Sequence, residues 1–173
     1  NVVMKGTINL VIDNSDTSSV AVEGTENGMI SMDGEMGKLQ WRIGNGTGAY
    51  TIPFGTADGT PIPTILDITT AGSSDGYVNL NTYSTNDSNS PYPTGVTNMN
   101  NSVTGTDGSL YAVDRFWLIN TDSYTTAPGA TLSFTYSDTA TEIGGTNTIS
   151  EGNLRAQRYN LGSSQWDATP LGS

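Results

Sequence analysis

Ala130-Thr131-Leu132-Ser133-Phe134-Thr135-Tyr136-Ser137 is the longest run in the chain free of Gly, Pro, Asn and Asp. Leu132, Phe134 and Tyr136 fall on every second position, which puts them on one side of an extended chain. β-Branched and aromatic residues dominate the run, and alternation with small polar residues is the pattern of a strand. Working outward, similar short runs recur at Ile8-Leu10-Ile12, Val20-Val22, Met29 to Met32, Leu39-Trp41-Ile43, Tyr50 to Phe54, Ile62 to Thr69, Tyr77 to Tyr83, Tyr111 to Asn120 and Leu154 to Tyr159. About ten strands fit this spacing. No window keeps apolar residues at helical spacing without a Gly, Pro or Asn interrupting it, so almost no helix is expected.

Turn pairs separate the runs: Asp33-Gly34, Asn45-Gly46, Asp58-Gly59, Asp75-Gly76, Asp107-Gly108, Pro128-Gly129 and Gly144-Gly145. Such pairs supply the backbone conformations that hairpins need. The fold class expected is therefore all-β: an antiparallel β-sandwich of about ten strands with Greek-key or jelly-roll-like connections. Residues 84–109 break the rhythm, being rich in Asn, Ser, Thr and Gly with Pro91 and Pro93, and read as one long surface loop held down by Tyr92 and Val96. With no break in composition, a single domain over residues 1–173 is expected.

Composition removes most chemistry. The chain has no cysteine and no histidine, which eliminates disulfides, thiol nucleophiles, Ser-His-Asp and Cys-His catalysis, and imidazole-built metal sites. Seventeen acidic against six basic residues give a net charge of −11, which opposes nucleic acid and anionic membrane surfaces as partners. No apolar run has the length needed to span a bilayer.

Carboxylate chemistry is what remains. A glycosidase needs two carboxylates roughly 5 to 9 Å apart, one with a raised pKa. Glu23, Glu26, Glu35, Glu142 and Glu151 stand beside turn residues with nothing to pair them, so solvated turn positions are expected and no catalytic residue is assigned. No cofactor is expected either. A structural Ca2+ would find suitable hard oxygen ligands at Asp13-Asn14-Ser15-Asp16, Asp58, Asp87 and Asp107, although no segment has the spacing of an EF-hand loop.

Tyr77, Tyr83, Tyr92, Tyr124 and Trp166 lie near strand edges or loop ends and are candidates for stacking on a glycan. Asp114 and Arg115 interrupt an apolar stretch. As neighbours on a strand they point to opposite faces, so each is expected to find a different partner. The segment between Asn1 and Asp13 is the most strand-like terminus, able to add to a neighbour's sheet edge or to serve as the first strand of its own domain.

Several of these segments, taken in order, resemble a pattern in large surface proteins of Bacteroidota, many of them exported by the type IX secretion system. The pieces are Trp41-Arg42-Ile43-Gly44, Tyr50-Thr51-Ile52-Pro53-Phe54-Gly55, Pro91-Tyr92-Pro93-Thr94-Gly95-Val96, Asp114-Arg115-Phe116-Trp117, and Arg158-Tyr159-Asn160 with Trp166. The resemblance implies an extracellular β-sandwich module at the cell surface, a piece or processed form of a longer secreted chain, with no catalytic residues. Its partners would be other domains or copies of the same surface protein, as in a filament. Asp138-Thr139-Ala140 is similar to the O-glycosylation site of that phylum. In this reading Trp41, Phe54, Phe116 and Trp117 are core residues, Pro53 stands at a strand edge or bulge, and Gly55 closes the strand.

Overall fold

The computed structural model describes residues 2–20, 28–101, 103–138 and 142–167; Asn1, Val22, Glu23, Glu26, Thr139 and Ala140, named above, lie outside them. The regular elements are β1 (Val2–Met4), β2 (Asn9–Ile12), β3 (Ile30–Met32), β4 (Lys38–Arg42), β5 (Gly48–Ile52), β6 (Thr64–Thr70), β7 (Tyr77–Ser84), β8 (Arg115–Asp122), β9 (Gly129–Phe134), β10 (Tyr159–Asn160) and β11 (Gln165–Trp166). Two short 3-10 turns, Ser109–Tyr111 and Glu151–Asn153, are the only helical pieces among the described residues. The chain is all-β. Among these residues no helix is long and apolar enough to cross a membrane.

The strands form several sheets, with orders β1-β3, β2-β4-β7-β8, β5-β6-β9 and β10-β11. Pairing is antiparallel for β4 with β7, β5 with β6, β6 with β9 and β10 with β11. It is parallel for β1 with β3 and β2 with β4. The sheets are thus mixed rather than antiparallel throughout. The physical reason is connection length: β1 and β2 return to their partners through a long excursion instead of a tight turn, and only such a return lets neighbours run the same way. Among the described residues neither strand belongs to a hairpin, so hairpin signals say nothing about them.

Two compact units partition the chain: Asn1–Tyr83 with Trp117–Thr135, and Ser84–Phe116 with Tyr136–Ser173. The first holds a hydrophobic core in which Leu39 and Trp41 of β4, Val78 and Leu80 of β7, Tyr50 and Ile52 of β5, and Leu66 and Ile68 of β6 are buried. Trp41 meets Tyr50 edge-on at 5.1 Å between ring centres. Each ring also satisfies its polar tip, since Trp41 Nε1 donates to the Asn14 carbonyl (2.9 Å) and the Tyr50 hydroxyl to the Ser15 carbonyl (2.9 Å). A buried donor left unpaired would cost about 1–3 kcal/mol, so the 14–15 turn is held by core residues.

β9, which holds most of the run from Ala130 to Ser137, lies at the end of its sheet and is largely exposed, Leu132 retaining 36% of its surface. Alternation there marks an extended conformation and not a deeply buried face. The run Tyr111 to Asn120 becomes a strand only from Arg115, because Asp107 accepts from the Ser109 amide and hydroxyl and sets up the 3-10 turn Ser109–Tyr111 instead. Leu154 to Tyr159 contributes only its last residue to β10. Between β7 and that 3-10 turn no strand intervenes among the described residues, only the isolated bridge Asn100 to Asp107.

Candidate functional site

Asp114 and Arg115 find different partners, as expected, although Asp114 lies in a bend before β8, where the Arg115 amide donates to the Val113 carbonyl at 2.7 Å. Arg115 pairs with Glu142, its Nε donating to Oε1 at 2.9 Å and its Nη2 at 2.5 Å, while Glu142 Oε2 accepts from the Ser137 amide at 2.8 Å. Both side chains are almost fully buried. Asp114, 1% exposed, turns the other way, accepting from Asn89 Nδ2 (3.1 Å) and Asn147 Nδ2 (2.7 Å). Burial raises its carboxyl pKa to about 6; the Asn147 hydrogen bond opposes the rise, and the charges of Asp87 and Glu142 add to it. Glu142 is therefore not the solvated turn carboxylate expected. Its neighbours in sequence are polar and small, and only the fold supplies the buried guanidinium that draws it inward.

Around the same segment the second unit gathers aromatic rings. Phe116 stacks on Trp166 at 6.3 Å with 12° between planes and meets Tyr92 edge-on at 6.3 Å. Tyr159 stands edge-on to Trp166 at 5.3 Å. Trp166 Nε1 donates to the Asn98 carbonyl (3.0 Å), and the Tyr159 hydroxyl accepts from the Thr97 amide (3.3 Å). The β10-β11 hairpin is thereby fastened to the loop that begins at Thr97. Between the two lies a cavity of about 180 Å3 lined by Asn98, Asn100, Asn101, Gly105, Ser164 and Gln165.

The stacking candidates divide accordingly. Tyr92 and Trp166 come together around Phe116, both half-buried. Tyr77 and Tyr83 belong to the other unit, on one face of β7, and Tyr83 is only 2% exposed, so its ring is unavailable to a sugar; burial, with Glu35 nearby, raises its phenol pKa to about 12. Tyr124 fills the space over Gly72 and Gly76 and donates its hydroxyl to the Gly44 carbonyl at 2.9 Å.

Trp41, Phe54 and Phe116 are buried as expected of core residues, whereas Trp117 is half-buried against Phe134 at 5.0 Å. Pro53 follows directly on β5, and its carbonyl accepts from the Ile30 amide at 2.8 Å. Gly55 is the last bridged residue before the turn that follows, and it also makes room for Met29: a Cβ there would stand 2.6 Å from the Met29 sulfur and 2.8 Å from its Cβ.

The acids considered for calcium serve their own turns. Asp16 accepts from the Ser18 amide and hydroxyl, Asp58 from the Thr56 hydroxyl, Asp87 from the Thr146 amide and hydroxyl, and Asp107 from Ser109. Hydrogen bonds from these neighbours lower the pKa of Asp16, Asp58 and Asp107. Asp13 stands 3.5 Å from Arg42. Among the described residues no three carboxylates converge as a metal site would require.

No protein-family model, no curated protein and no solved structure matches this chain. What the chain does must be read from the site itself.

Proposed function

We propose that the chain is a non-catalytic structural or adhesive module of a bacterial surface protein, placed outside the cell, whose first unit is a β-sandwich. The observation that carries this reading is the burial of its best catalytic pair. Asp114 has a raised pKa and lies near the arginine-paired Glu142, the contrast in character that a glycosidase uses. Yet each residue is only 1% exposed, and both spend their oxygens on structural donors. A carboxylate without access to substrate holds a fold together. The edge contact of Trp41 from one sheet with Tyr50 from another supports face-to-face packing within the first unit.

The export assignment rests on the ordered motifs that resemble surface proteins of Bacteroidota. Assembly into a filament would use strand addition by the segment between Asn1 and Asp13, whose β1 and β2 are short, half-exposed and, among the described residues, joined to their sheets by parallel pairing alone.

Two measurements test the proposal. Incubation with a panel of polysaccharides is expected to release no reducing ends; release that Glu142→Gln abolishes would make the chain a hydrolase. Light scattering and negative-stain microscopy, with and without a calcium chelator, read the assembly. Regular filaments support a structural subunit, a monodisperse monomer removes the filament variant while leaving the module, and a chelator-dependent change would bring in a structural Ca2+.

A further inference from the structure

We infer that the cavity lined by Asn98, Asn100, Asn101 and Gly105 on one side and the β10-β11 hairpin on the other binds one neutral, hydroxyl-rich sugar residue of a glycan. This deepens the adhesive half of the proposed function and rests on it. The lining is four carboxamides, Asn98, Asn100, Asn101 and Gln165, with the Ser164 hydroxyl and the open backbone of Gly105. A carboxamide carries donors and an acceptor side by side, the complement of vicinal hydroxyls, which donate and accept in the same way. No charged side chain lines the cavity, and the chain's net charge of −11 repels anionic ligands, so uronic and sialic acids are disfavoured.

The walls are fixed before any ligand arrives. Asn98 accepts from the Asn100 amide (3.0 Å) through its side chain and from Trp166 Nε1 (3.0 Å) through its carbonyl. Asn101 accepts from the amides of Val103 (2.8 Å) and Thr104 (3.2 Å), and its backbone closes on Gly105 and Thr106 at 2.7 Å each. Asn98 and Asn101 thus hold the frame, leaving the exposed side chains of Asn100 and Gln165 to contact the sugar. At Gly105 a Cβ would meet nothing within 4 Å, which leaves room above the floor. Here the aromatic cluster stands behind the wall as its support and is not the stacking platform. A small polar pocket of this size binds weakly, with a Kd on the order of 1 mM, and gains strength by repetition along a larger assembly.

The test is glycan-array binding of the full chain, presented multivalently on beads, followed by saturation-transfer NMR on the strongest glycans. Neutral glycans are expected to bind and those ending in uronic or sialic acid are not. Asn100→Ala with Gln165→Ala is expected to weaken binding at least tenfold. Trp166→Phe, which keeps the stack but removes the donor to Asn98, is expected to weaken it several-fold with the fold intact by circular dichroism. Tyr77→Ala, in the other unit, should leave it unchanged.

Absence of neutral-glycan binding, binding untouched by the double substitution in a folded variant, or capture of peptides alone would each overturn the inference. Chromatography of the recovered glycan separates the two readings. A cleaved glycan defeats the non-catalytic function and leaves the site standing, whereas an intact, unbound glycan defeats the site alone.

Discussion

Glu142→Ala offers the sharpest test of how the second unit is held together. The Arg115 guanidinium is 3% exposed and pairs with Glu142 at 2.5 Å. Truncation removes the acceptor for two N–H groups of the arginine and for the Ser137 amide. Hydrogen bonds to charged groups contribute about 1.5–3 kcal/mol each, yet water admitted into the space left behind recovers part of this. Breaking a buried pair from one side costs about 3–5 kcal/mol, because a charge stays buried without its counter-charge.

Replacing both partners, as Arg115→Met with Glu142→Leu, removes the buried charge and leaves only the loss of the Glu142 acceptor at the Ser137 amide, so it should cost about 1–3 kcal/mol, less than the single variant. Urea unfolding gives the global values, and hydrogen exchange at the Ser137 and Asp114 amides, which point at the Glu142 side chain and carbonyl, reads the local effect. A loss below about 1 kcal/mol for Glu142→Ala would mean the pair is hydrated and contributes as little as a surface ion pair. A double variant as unstable as the single one would refute the attribution to an orphaned charge.

Asp114→Asn should stabilise the protein at neutral pH. Folding raises this pKa from about 3.9 in the unfolded chain to about 6, so the folded state holds the proton more tightly, and the residue's contribution to stability falls as pH rises from about 4 through 6. The variant should match the parent near pH 4 and exceed it by about 1–3 kcal/mol at pH 7.5, provided the Asn147 amide turns to offer its unpaired oxygen; chemical denaturation across pH measures the difference, and equal pH slopes would reject the idea. Gly55→Ala forces a methyl group into Met29 and should cost about 1–3 kcal/mol, much of it recovered by adding Met29→Ala, as thermal unfolding would show. Asn81→Ala removes the amide that donates to the carbonyls of Gly34, Glu35 and Gly37; a loss of about 1–3 kcal/mol, with faster exchange confined to the 34–37 turn, is expected.

Much of the fold was legible residue by residue. Leu39-Trp41-Ile43, Ile62 to Thr69 and Tyr77 to Tyr83 became β4, β6 and β7 because alternation and β-branching act within a few residues of themselves. Asp and Asn turns were equally readable, since Asp16, Asp58 and Asp107 bond to groups two residues away. That Asp114 and Arg115 would find different partners was legible too, whereas the bend at Asp114 was not. Composition alone excluded cysteine and histidine chemistry.

What the tertiary structure decided were partners distant along the chain. Glu142 carries no local mark of burial; it is drawn in by an arginine 27 positions away. The parallel pairing of β1 and β2, the burial of Tyr83 and the half-exposure of Trp117 depend on which strand lies beside which. The cavity between Asn98 and Gln165 exists because Trp166 reaches a carbonyl 68 residues upstream. Local sequence sets how a segment bends, since its backbone torsions and neighbouring hydrogen bonds are decided within a few residues. Which segments then meet is set by long-range closure, whose entropic cost only the whole packed core can offset.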